Sequence, residues 1–107
     1  MGIIYMLCCH VRDLSYIKLG YTDKPFQDRL QHIRAGIPFN VDVLATRAGT
    51  KDQEQELLTG AKEWRHDLGG REWFVDCQEL REYCDRFFFA DPEIIPKKLW
   101  LTADRQP

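Results

Sequence analysis

Apolar and polar positions along the chain fall into short runs separated by turn residues. Ile3 to Cys9 is continuously apolar apart from the Tyr5 hydroxyl and predicts a strand buried on both faces. A polar turn follows around Val11, Arg12 and Asp13. Leu14 to Gly20 then alternates, with Ile17 and Leu19 on one side and Tyr16, Lys18 and Gly20 on the other. The two runs predict an antiparallel hairpin. Folding symmetrically about Val11 and Arg12 would set Tyr5 opposite Lys18, within side-chain reach.

Phe26, Leu30 and Ile33 recur at helical spacing after Pro25, which suits a first helical turn. Gly36 fits the left-handed position just past the end of that helix. Pro38 and Phe39 lead into another alternating strand, with Val41, Val43 and Ala45 expected on one face. Thr50 and Gln53 have the form of a capping box, and Leu57, Leu58, Ala61 and Trp64 supply the stripe of the helix that follows. Gly60 weakens this helix, and Gly69-Gly70 closes the segment. Trp73-Phe74-Val75 reads as a short strand or a docking segment. Asp76 and Glu79 suggest a second capping box, opening a helix with Leu80, Tyr83, Cys84, Phe87 and Phe88 on one side. Asp91-Pro92 should end it. The order is strand, strand, helix, strand, helix, short strand, helix: a small α+β domain with helices on an antiparallel sheet.

The 107 residues leave room for one domain, expected over residues 1–90, with residues 91–107 as a tail. Leu99, Trp100 and Leu101 in that tail either fold back on the core or contact a partner. The formal net charge of -2 gives no global attraction to nucleic acid, so any such binding must be local. Residues 1–49 carry a mild basic excess, and residues 50–90 an acidic one. No apolar run is long enough to span a bilayer, and the start of the chain lacks a signal-peptide pattern. A cytoplasmic location is expected. Cys8 and Cys9 should point to opposite faces of their strand, and Cys77 and Cys84 to one face of a helix. Reduced, buried thiols are the plain expectation, and a zinc site recruiting His10 the alternative.

Several polar residues sit where a simple core would not want them. Glu54 precedes Leu57, Leu58 and Ala61 by three, four and seven residues and so shares their face, whereas Glu56 points away. A carboxylate on the core side is costly unless it is paired or bound to a metal. Arg29 lies at the edge of the apolar arc of its helix, where it either snorkels or gives two hydrogen bonds to a phosphate. A free tyrosine titrates near ~10, too high for a neutral-pH base, but an adjacent Lys18 ammonium would favour the phenolate of Tyr5. His32, three residues after Arg29, either joins the site or sits in solvent. Glu72, ahead of Trp73 and Phe74, reads as a surface charge flanking an aromatic plug.

The ordered set Ile4-Tyr5, Lys18-Leu19-Gly20-Tyr21-Thr22, Pro25 to Arg29-Leu30, Gly36-Ile37-Pro38-Phe39, Glu54 with Leu57, and Glu72-Trp73-Phe74 resembles the GIY-YIG endonuclease superfamily. The resemblance is to the divergent branch named for a meiotically up-regulated gene and covers about residues 2–75. It implies a metal-dependent phosphodiesterase on a three-stranded antiparallel sheet flanked by helices, most simply nicking DNA rather than RNA. It also implies that Tyr5 helps activate water, that Lys18 fills the slot of a second tyrosine, and that Arg29 holds the phosphate. Glu54 would bind one Mg²⁺ or Mn²⁺ ion. Gly20, Tyr21, Thr22 and His32 would lie beside the substrate. A double-strand break would require two sites, hence a homodimer or two visits. The pattern departs from the family where the first glycine is shifted to Gly2, and where Leu58 and Ala61 replace a usual histidine and aromatic. The rival expectation is an inactive module of the same fold that binds nucleic acid or a protein partner.

Overall fold

The computed structural model describes residues 2–37, 39–66 and 72–89. Pro38, Gly69-Gly70, Asp91-Pro92 and the Leu99-Trp100-Leu101 tail lie outside the described residues. The elements run β1 (Gly2–Val11), β2 (Leu14–Thr22), α1 (Phe26–Gly36), β3 (Asn40–Gly49) and α2 (Lys51–Gly60). A short 3-10 turn (Lys62–Trp64), β4 (Trp73–Val75) and α3 (Gln78–Phe89) follow. The fold is α+β, and its antiparallel sheet has the order β3-β1-β2-β4. Four strands, not three, make the sheet. The extra one is the Trp73–Val75 segment, which pairs Trp73 with Lys18 and Val75 with Tyr16.

The hairpin register differs from the expected one by two residues. Val11 pairs with Leu14, so Arg12 and Asp13 alone form the turn. Arg12 takes a positive φ of 58°, a conformation that lets a two-residue turn follow the strand twist. Tyr5 therefore faces Gly20, and Lys18 faces Leu7. A shift of two preserves side-chain faces, so Tyr5 and Lys18 still share one.

That face, with Tyr5, Leu7, Cys9 and Val41, packs under Leu30 and Ile33 of α1. The opposite face carries Ile4, Met6, Cys8, Ile17, Leu19 and Phe74 against residues of α2 and α3. Cys8 and Cys9 thus enter different cores, and all four cysteines are free thiols. A bulge opposite Met6 and Leu7 flips β3: Val41 and Val43 fall on the α1 side, but Ala45 enters the other core. The expectation of one shared face for these three fails at that bulge.

Gly36 ends α1 from inside the helix, and the extended Ile37 caps it through an N–H bond to the Arg34 carbonyl. No left-handed glycine is needed there. The Thr50/Gln53 capping box of α2 is formed in both directions. Gly60 leaves room for Tyr83, whose hydroxyl donates to the Leu57 carbonyl at 3.1 Å. Asp76 lies two residues ahead of α3, outside the capping position. Its carboxylate instead accepts from Arg81 Nε at 2.6 Å and Ser15 Oγ at 2.5 Å, which holds it below the usual carboxylate range. Cys77 likewise precedes the helix rather than sharing a helical face with Cys84.

Candidate active site

Tyr5 stands on a central strand and is fully buried. Gly20 opposite makes this possible, because any Cβ there would collide with the phenol ring. Phe26 from α1 packs against the ring with centroids 5.6 Å apart. Arg29, one turn further along α1, donates its Nε to the Tyr5 hydroxyl at 3.2 Å. That bond leaves the terminal nitrogens of a planar guanidinium to face elsewhere, and Arg29 lines the neighbouring cleft. The Tyr5 hydrogen bond, more than any charge, also holds the Arg29 proton more firmly.

No hydrogen bond joins Lys18 to Tyr5 in this arrangement. Its Nζ donates to Glu72 Oε1 at 3.2 Å and sits 5.1 Å over the Trp73 ring. Glu72 is fixed in turn through its main chain, whose carbonyl accepts from Leu19 N–H at 3.0 Å. The expected raising of Tyr5 acidity by Lys18 is therefore corrected. Burial pushes the Tyr5 phenol up, the Arg29 bond opposes this in part, and the charges of Glu72 and Glu54 push it further up. A tyrosine in that setting keeps its proton at neutral pH.

Glu54 enters from α2, on the other layer of the sheet. Its side chain is 1% exposed. Its Oε1 accepts from Lys51 Nζ at 3.2 Å and from Gln55 Nε2 at 2.9 Å. Lys51 itself is exposed and lies 5.5 Å over the Tyr21 ring. The core-side placement inferred from spacing is thus real, and a lysine supplies the pairing that burial demands.

An open cleft of about 1020 Å³ runs along this edge of the molecule. Arg29, Lys24, Lys51, His32, Glu72 and Tyr21 contribute to its walls, together with Thr22. His32 is exposed on that wall. Thr22 is buried, and its hydroxyl receives the Lys24 N–H at 3.1 Å, which shapes the loop rather than facing outward. Tyr5, Lys18 and Glu54 sit behind the lining.

Tyr5, Arg29, Lys18 and Glu72 therefore gather at one place, and Glu54 acts on Tyr5 through its charge. Glu72 is the member that the sequence pattern left as a flanking surface charge. A strand start paired with the lysine-bearing strand was the available signal. Divalent cations of the Mg²⁺ type commonly take one or two protein carboxylates and complete their shell with water and substrate phosphates. Glu54 supplies one buried carboxylate, here paired with Lys51 and Gln55 and set behind the cleft lining. Among the described residues no group of three or more His, Cys, Asp or Glu is placed to hold a metal ion. His10 instead bonds Asp42 at 2.9 Å.

A family model described as the T5orf172 domain matches residues 2–88, from β1 almost to the end of α3. The chain belongs to this family. The T5orf172 domain is associated with endonucleases of the GIY-YIG/HNH-like kinds. Membership points to a nuclease-like or nucleic-acid-binding role. Searches of curated proteins and of solved structures give no significant match. Among the described residues no helix is long and apolar enough to cross a membrane.

Proposed function

We propose that this protein is a divalent-metal-dependent endonuclease of the divergent GIY-YIG branch, hydrolysing phosphodiester bonds and nicking one DNA strand. The observation that carries the reading is the Arg29–Tyr5 hydrogen bond at the wall of a charged cleft. A guanidinium held by its Nε presents its remaining N–H groups as a preoriented phosphate fork.

Arg29 binds the scissile phosphate and offsets the charge that builds on it in the transition state. Tyr5 orients Arg29 and acts with its proton in place. Lys24 and Lys51 hold flanking phosphates along the cleft, and Tyr21 and His32 offer ring surface to the substrate. Glu54 would hold one Mg²⁺ or Mn²⁺ ion, which when bound polarises the phosphate and stabilises the leaving oxygen.

Nicking of supercoiled plasmid with and without EDTA tests this. The parent should nick only with metal, and Glu54→Ala should abolish nicking while the melting curve stays cooperative. Arg29→Ala should lower turnover by about 10²–10³-fold, the scale of a lost transition-state donor, with a smaller loss of DNA binding. Equal nicking by Glu54→Ala would remove the metal assignment.

One observation favours a second reading, an inactive module that binds nucleic acid or a protein partner. Lys51 already neutralises Glu54, and Glu54 is not part of the cleft lining. A parent that binds DNA in EDTA and never nicks it would select this reading.

A further inference from the structure

Glu72 has no part in the reaction as set out above. Its main chain is tied to β2 through Leu19, and its carboxylate accepts from Lys18 Nζ at 3.2 Å. The side chain is 36% exposed and lines the cleft with Arg29. Asp23 and Asp28 also line that cleft, but Glu72 is the carboxylate there whose charge acts on both Tyr5 and Arg29.

Hydrolysis of a phosphodiester needs a group to take a proton from the attacking water. Tyr5 is poorly placed for this. It is fully buried, lies behind the cleft lining, and its oxygen already accepts from Arg29. Burial also holds its proton on.

We propose that Glu72 accepts the proton of the attacking water, with Lys18 as the positioning residue that holds its carboxylate and Tyr5 confined to orienting Arg29. The assignment rests on the endonuclease reading. The water oxygen forms the new bond to phosphorus as its proton passes to Glu72. The bond from phosphorus to the leaving sugar oxygen breaks, and its electron pair stays on that oxygen, which takes a proton from solvent. Glu72 then returns its proton to solvent. The products are a phosphate monoester and an alcohol.

The test pairs single-turnover plasmid nicking in Mn²⁺ with binding of the same DNA in EDTA. Glu72→Gln should lose about 10²–10⁴-fold in turnover, the usual worth of a general base. Its DNA affinity in EDTA should equal or exceed that of the parent, because a negative charge facing the phosphates is gone. Added formate should restore turnover to Glu72→Ala and leave Lys18→Met unmoved. Tyr5→Phe should lose less turnover than Glu72→Gln. Should Glu72→Gln fold poorly, Glu72→Asp carries the test, keeping measurable turnover without formate. Turnover of Glu72→Gln within about threefold of the parent overturns the assignment, and so does a formate response that fails to appear. A parent that nicks, stops nicking on Glu54→Ala, and is indifferent to Glu72→Gln overturns this assignment alone. A parent that nicks nothing with any metal overturns the endonuclease reading with it.

Discussion

Gly20 decides whether Tyr5 can stand where it does. The ring is fully buried, with Phe26 against it and the α1 core around it. Gly20→Ala would drive a methyl group into the phenol and force ring or strand to shift. Overpacking of this kind costs about 1–3 kcal/mol, read as a lower urea midpoint at unchanged slope. The same shift breaks the anchor of Arg29, so nicking should fall more than DNA binding does. A variant as stable as the parent would show that Tyr5 has another rotamer open to it. Glycine matters here for a close approach across two strands, not for a turn.

At the scale of elements, α2 holds a buried carboxylate in its first turn. The capping box fixes that turn, and Lys51, the first helical residue, reaches back over Glu54. Lys51 is largely exposed and Gln55 still donates to the same oxygen, so Lys51→Met should cost no more than about 1 kcal/mol and melt slightly below the parent. If Glu54 is a metal ligand, Mn²⁺ should restore that loss by mass action and leave Glu54→Ala unmoved. Equal Mn²⁺ shifts in both variants would place the ion elsewhere. The helices themselves are legible in sequence, because apolar spacing and the Thr50/Gln53 box are local signals. Glu54 is legible for the same reason, since its offset from Leu57 and Leu58 alone sets its face. The hairpin register is not, because Arg12 carries the positive φ with no glycine or asparagine to announce it. Nor is the bulge that turns Ala45 into the second core, which depends on pairing with β1. The Lys18–Glu72 contact spans 54 positions and exists only once β4 pairs with β2.

For the whole molecule, burial of proton-bearing groups sets the alkaline limit of stability. Burial raises Cys84 from 9.0 to about 12 and Tyr83 from 10.0 to about 12. Tyr5, Cys8 and Cys9 are pushed up for the same reason. The unfolded chain releases these protons at their ordinary values, while the folded chain keeps them. Between those limits the unfolded state binds fewer protons, so stability is present below about pH 9 and is lost as pH climbs towards 12. Asp76 works in the other direction: its bond from Arg81 depresses it below 3.8, and its contribution disappears as pH falls through that region. The urea midpoint should be level from about pH 5 to 8 and decline on both sides; a midpoint unchanged far into the alkaline range would contradict the buried thiol and phenols. A last consequence belongs to β1, whose alternate residues feed two separate cores. A one-residue slip of its register would trade the two sets of side chains across the sheet, handing the place of Tyr5 to an aliphatic neighbour. A single-residue length change in this strand therefore needs a compensating bulge, such as the one that already absorbs an extra residue in β3, a constraint that no single side chain reveals.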